Sequence, residues 1–179
     1  SGSVIHALHG EQDMRRMGGL KKVMGITFVT FLISSLAISG IPPFSGFFSK
    51  DEILMTAFEH NKVLWFIASL ASLMTAFYMF RLLYLTFFND FRGTDKQKSH
   101  LHESPALITF PLIVLAILAT IGGLISLPTS SWLNGYLAPL FSKEAHEAHH
   151  FGTQEYALMA VAVAGGLIGI IIAFVKYIK

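Results

Sequence analysis

From residue 23 to residue 49 the chain runs for twenty-seven residues without a charged side chain. Three further apolar blocks follow, at 63–88 (interrupted only by Arg81), 106–127 and 157–175. Each approaches or exceeds the roughly 20 residues that carry a helix across a ~30 Å hydrocarbon layer. A lipid-exposed backbone must satisfy its own hydrogen bonds, and none of the blocks shows the alternation of barrel strands. They are therefore expected as helices. Composition agrees: 53% of the residues are hydrophobic, 13% are charged and the mean hydropathy is +0.59. The expected fold class is all-α membrane, a polytopic bundle of about four transmembrane segments. A net charge of +2, scattered along the chain, argues against a nucleic-acid binder. The absence of cysteine excludes thiolate metal sites, iron–sulfur ligation and disulfides within the chain.

Basic residues orient the blocks. If the first enters from the side of Arg15, Arg16, Lys21 and Lys22, alternation returns the 89–104 linker there with Arg92, Lys96 and Lys98. The C-terminus then returns there with Lys176 and Lys179, so nine of the thirteen Lys and Arg share one side. The positive-inside rule makes that side the cytoplasm or the mitochondrial matrix. The opening residues lack the basic start and cleavage site of a signal peptide. They read as the tail of an upstream apolar helix, so the chain is expected to be a piece of a larger protein. The resulting plan is a cytoplasmic loop at 1–22, a broken helix at 23–60, and transmembrane helices at 61–90, 105–128 and 155–177.

The break is the most informative feature. Residues 26–60 would extend about 52 Å as one helix. Midway stand Gly40-Ile41-Pro42-Pro43. The prolines remove two backbone donors and drive the preceding residues out of helical geometry, while Gly40 allows a change of direction. Two half-helices result. Inside a bilayer, irregular backbone is tolerated only where protein or a wet cavity covers it, and in transporters such breaks line the substrate site. Three ionisable groups follow directly: Lys50, Asp51 and Glu52. A lysine at membrane depth costs at least about 2.5–3.5 kcal/mol and normally faces a polar path. Near the positive end of the new half-helix, such an amine can exchange its proton close to neutral pH. The alternative is structural: Lys50 snorkels to an interface, while Ser49 and Glu52 form a capping box with Asp51 beside them.

Other residues carry weaker signals. Arg81 lies about two turns from the end of its span and either snorkels or pairs with a buried carboxylate. His6 and His9, with Glu11, are candidates for a proton-entry network or are ordinary loop histidines. His146, His149 and His150 lie in an acidic loop and read as solvated rather than metal-binding. Trp132 and Tyr136 suit a membrane interface. Pro105 opens the third block, and Pro111 is placed to kink it. Gly165 and Gly169, four apart, would allow close helix contact. Ser34, Ser35 and Ser39 are expected in helix packing or in bonding to the backbone, or instead in holding water near the break. No nucleotide loop or nucleophile–base pair is present.

Two motifs carry a family resemblance. Residues 3–20, SVIHALHGEQDMRRMGGL, resemble the loop after the eleventh helix of the L subunits of respiratory complex I (NADH:quinone oxidoreductase), the mitochondrial fifth NADH-dehydrogenase subunit. Residues 40–54, GIPPFSGFFSKDEIL, resemble the broken twelfth helix of the same antiporter-like subunits, and Phe77-Tyr-Met-Phe-Arg81 resembles the thirteenth. The likeness spans nearly the whole chain and is strongest at 3–54. It implies that Lys50 belongs to a central chain of ionisable residues and water, exchanging protons with the periplasmic or intermembrane side. Asp51 follows the lysine in the family motif too, and lysine rather than glutamate favours subunit L over its sister M. The resemblance further implies FMN, iron–sulfur clusters and quinone in partner subunits, none in this chain, with subunit M as a neighbour. The upstream glutamate–lysine pair, the histidines and lysine of the eleventh helix, the lateral helix and the final span are missing, so these residues alone could not pump. Related readings are the large subunit of an Mrp-type Na⁺/H⁺ antiporter or a hydrogenase membrane subunit. A third is a non-transporting structural subunit with Lys50 as an anchor.

Overall fold

The computed structural model of the chain describes residues 2–99, 101–127, 130–131 and 153–178. Among the described residues the regular structure is helical, apart from a two-residue antiparallel pairing of β1 (Ser126–Leu127) with β2 (Ser130–Ser131). The helices are α1 (Gly2–Ala7), α2 (Gly25–Ser39), α3 (Ser45–His60), α4 (Lys62–Phe87), α5 (Asp95–Ser99), α6 (Ala106–Ile121) and α7 (Thr153–Tyr177). Trp132, Tyr136 and the histidines of the acidic loop lie outside the described residues.

Among the described residues, two helices are long and apolar enough to cross a membrane: α4, and α7 from Tyr156 to Tyr177. Only 11% and 17% of their most apolar windows is buried within the chain, so they are not the core helices of a soluble domain. Their outer faces show Phe66, Met74, Ile171 and Val175 at 58–74% exposure, a surface suited to lipid or further helices. The apolar helices α2 and α6 are shorter, at 15 and 16 residues. At ~1.5 Å per residue α2 reaches about 22 Å and cannot span alone. Helix α6 continues through Pro111 and is prolonged by a 3-10 turn over Gly122–Ile125.

The buried core gathers at one end of the bundle. Val4, Leu8, Met17, Leu20, Met24 and Phe28 pack against Phe80, Leu83, Tyr84 and Phe87 of α4, with Ala173 of α7. Hydrogen bonds close the same end. The Gly19 amide donates to the Phe88 carbonyl at 3.0 Å. Arg92 donates to the carbonyls of Met17 at 2.7 Å and Leu85 at 2.6 Å. Asn89 donates to the Tyr177 carbonyl at 2.7 Å. Gly18, at φ +144°, lies so close against the Asp90 carbonyl that no side chain fits. The polar linker is not all loop: Thr94 and Gln97 exchange capping-box bonds at the start of α5.

Helix α7 packs along α4. Gly169 makes this possible, since a side chain there would meet the backbone of Leu73 and Phe77. Gly165 faces open space, and its neighbour Gly166 instead meets Ile41 and the Ser39 carbonyl. The expected glycine pair is thus replaced by Gly166 and Gly169, three apart, which face the break and α4 respectively.

Candidate functional site

The chain stops α2 through its own backbone. Gly40 adopts φ +74°, a left-handed conformation that costs glycine little. Its amide donates to the Ala37 carbonyl at 3.1 Å, and the Ile41 amide reaches back to Leu36 at 3.2 Å. This is the Schellman arrangement, which satisfies two of the four carbonyls a helix leaves without intrahelical partners. A turn through Pro42 and Pro43, joined by a cis peptide, leads to Phe44, the N-cap of α3. Two half-helices separated by an irregular break are what the sequence leads one to expect.

Lys50 reaches back across this break. Its Nζ donates to the Ile38 carbonyl at 3.0 Å, and its aliphatic stem lies beside Gly40. The amine therefore takes a third carbonyl in the last turn of α2, at the negative end of that helix. Gly46 permits this approach, because a β-carbon there would run into the Ala37 carbonyl. Beside the amine's partner, Ser39 is 2% exposed and its hydroxyl has no hydrogen-bond partner in the structure. Asp51 is buried at 6% exposure, whereas Glu52 faces outward.

Two expectations about this segment need correction. Helix α3 begins at Ser45, four residues before Ser49, so Ser49 and Glu52 lie inside the helix and form no capping box. The Ser49 hydroxyl instead approaches the Gly46 carbonyl at 3.5 Å. For the same reason Lys50 is not at the positive end of a new half-helix; its amine sits at the carbonyl end of the old one. Ser34 and Ser35 return their hydroxyls to the carbonyls of Thr30 and Phe31 within α2, so neither is directed at the break.

The remaining candidates lie elsewhere. Arg81 on α4 places its guanidinium over the Tyr177 ring at 5.4 Å, with its buried Nε lacking a hydrogen-bond partner. His6 and His9 are exposed and line a cavity of about 300 Å³ with Ser99, Leu101 and His102. Glu11 does not join them. Its carboxylate accepts from the amides of Gln12 and Asp13 and lies 3.6 Å from Arg16. Nearby, Arg15 holds the exposed Asp13 carboxyl down to about 2. A groove of about 590 Å³ between α2 and α6 is lined by apolar residues with two threonines and by no titratable group.

One participant escaped the sequence reading. Glu103, in the leader of α6, accepts from the Ile26 amide at 2.8 Å, the Thr27 amide at 3.4 Å and the Thr27 hydroxyl at 2.6 Å. It caps α2 from 76 residues away, where the local N-cap, Met24, offers no side-chain bond. Partial burial works against ionisation of Glu103. The bonds from Thr27, Ile26 and Ser104 outweigh it and hold the carboxyl below its usual range. The available signal was a lone acidic residue two positions before Pro105, at the mouth of an apolar block.

Comparison with known proteins follows this geometry. Residues 1–76 match the family model described as "NADH:quinone oxidoreductase/Mrp antiporter, TM". Over its full length the chain is 47% identical to NAD(P)H-quinone oxidoreductase chain 5 of Picosynechococcus sp., covering 31% of that protein. Over 99% of its length it is 40% identical to NADH-quinone oxidoreductase subunit L of Mycobacterium tuberculosis, covering 28% of it. The chain belongs to the NADH:quinone oxidoreductase/Mrp antiporter family. It spans about a third of the length of the curated relatives it matches. The family match at 1–76 contains the break, Lys50 and the N-terminal loop that carried the resemblance.

Proposed function

We propose that the chain is part of a proton-translocating membrane subunit of an NADH:quinone oxidoreductase, in which Lys50 loads and releases protons at the broken helix. One observation carries the reading: an amine lies across the helix break, bound to the carbonyl end of α2. A lysine at membrane depth is costly unless it faces a polar path or a partner, and such a path is what charge movement requires. The Ile38 carbonyl accepts a hydrogen bond from the charged or the neutral amine, so the side chain keeps its place while its proton leaves. The buried Asp51 and the unpartnered Ser39 hydroxyl supply further polar groups beside the break. Glu52 has a smaller part, since it faces outward. Arg81 serves as a half-buried cation in the same bundle, and His6 and His9 as proton-collecting groups at the closed end.

On this reading, quinone reduction in other subunits supplies the energy, and FMN, iron–sulfur clusters and quinone reside there. Lipid surrounds α4 and α7, and a neighbouring antiporter-like subunit of the M type is the expected partner. The location is a bacterial plasma membrane or mitochondrial inner membrane. Both ends of the chain, with the 1–22 loop, face the cytoplasm or matrix. The family description also names Mrp antiporters; a sodium-dependent proton flux uncoupled from quinone would favour that alternative.

The decisive experiment is Lys50→Met in the full-length, assembled complex. Quinone reduction should continue with fewer protons moved per quinone. A variant that assembles and pumps at the unaltered ratio overturns the role of Lys50.

A further inference from the structure

Helix α2 is held at both ends by charged side chains that belong to other segments. At its start the Glu103 carboxylate receives two backbone amides and the Thr27 hydroxyl. At its end the Ile38 carbonyl receives the Lys50 amine. Anion at the amide end and cation at the carbonyl end both match the helix dipole. Nothing within α2 substitutes for the first clamp: its first turn has no acidic residue and its N-cap residue makes no side-chain bond.

We infer that Glu103 is a positioning residue for Lys50, acting through α2 as a rigid rod. The inference rests on the proposed role of Lys50. A 15-residue helix closed by a Schellman turn transmits a shift at its first turn to its last. The hydroxyls of Thr30, Ser34 and Ser35 are each returned to a carbonyl of α2 itself, so none of them ties the rod to another element. Glu103 fixes the rod to the leader of α6, whose Ser104 amide it also binds at 3.2 Å. Helix α6 in turn runs beside α2 to the break, where Gly122 and Gly123 meet Ser45, Pro43 and Phe48. The leader of α6 thus registers α2, and α2 presents the Ile38 carbonyl to the amine. Release of the clamp lets α2 slide or fray against α6 and moves the amine's partner.

The test compares Glu103→Ala, Glu103→Gln and Lys50→Met in the full-length, assembled complex, reading assembly, quinone reduction, protons per quinone and hydrogen exchange of residues 26–30. Glu103→Ala should assemble and reduce quinone, while protons per quinone fall by about twofold or more. The amides of Ile26 and Thr27 should exchange roughly tenfold faster. Glu103→Gln, which keeps an acceptor oxygen, should recover most of the ratio. A purely structural role predicts lost assembly with an unchanged ratio in whatever complex remains. If Glu103→Ala does not assemble, Thr27→Val carries the test with Thr27→Ser as its control: a lowered ratio in the first and a normal one in the second supports the inference. An unaltered ratio in Glu103→Ala, or in Thr27→Val where that variant is used, overturns it. So does a Glu103→Gln complex no better than Glu103→Ala. If Lys50→Met pumps normally while the exchange result holds, the lysine reading has failed and the clamp alone has survived.

Discussion

At the scale of single residues, the site depends on what Gly46 lacks. Its α-carbon lies where any side chain would collide with the Ala37 carbonyl, and both partners in that collision are backbone. Neither can swing aside as a flexible side chain would. Gly46→Ala should therefore push α3 off the end of α2, at a cost of about 1–3 kcal/mol by analogy with overpacked cores. Lys50 should lose the Ile38 carbonyl with it. A lowered melting temperature together with impaired proton transfer is expected; unchanged melting would contradict the close approach. Glu103 gives a pH-dependent counterpart. Its folded pKa is depressed below the ordinary 4.5. Its contribution to stability is then complete above that value and disappears as the pH falls through the lower, folded value. The unaltered protein should melt higher than Glu103→Gln near neutrality, and the gap should close as the pH drops below about 4.5. A gap that persists in acid would show that charge is not what the cap uses.

At the scale of elements, what was legible divides by the range of the forces involved. The break at Gly40-Ile41-Pro42-Pro43 could be read because two prolines and a glycine constrain their own backbone whatever surrounds them. The spans α4 and α7 could be read because length and apolarity are local sums. The start of α3 was misread because a serine followed three residues later by a glutamate occurs inside helices as well as at their caps. Phe44, an N-cap without a capping side chain, left no mark in the sequence. The partners that define the site, Ile38 for Lys50 and Glu103 for α2, are tertiary contacts that no local pattern encodes. Spacing of four selected Gly165 with Gly169, yet only the structure distinguishes the glycine facing a neighbour from the one facing outward. That distinction is testable. Gly169→Leu should wedge α7 from the Leu73–Phe77 stretch of α4 and destabilise the bundle by about 1–3 kcal/mol, whereas Gly165→Leu should melt like the unaltered protein. Equal effects would mean that α7 is rotated from the orientation described.

At the scale of the whole molecule, the bundle is asymmetric from end to end. One end is locked by the aromatic cluster around Phe28 and Phe87, whose rings lie 5.3 Å apart, and by the Arg92 and Asn89 bonds. It also carries Arg15, Arg16, Lys21 and Lys22, with the Lys21 amine over the rings of Phe28 and Phe88. The rest of the bundle exposes long apolar faces, so the folded chain requires lipid or further helices around it. A locked, basic end suits the side of the membrane on which positive loops are retained. On the proposed reading, α2, beginning at that end and reaching about 22 Å, would stop inside the hydrocarbon layer and leave its last carbonyls, with Lys50, at depth. Orientation and mechanism can thus be examined by one measurement. The chain contains no cysteine, so single reporters can be introduced into a full-length protein cleared of any others. Asp95→Cys, at the start of α5, should react with a membrane-impermeant maleimide only from the cytoplasmic or matrix side. Glu59→Cys, near the end of α3, should react only from the opposite side. Lys50→Cys should be slow from either side, since a residue within the layer is shielded from bulk water. Rapid labelling at position 50 from one face would place the break at the surface, where an amine needs no proton path and the structural-anchor reading would gain the advantage.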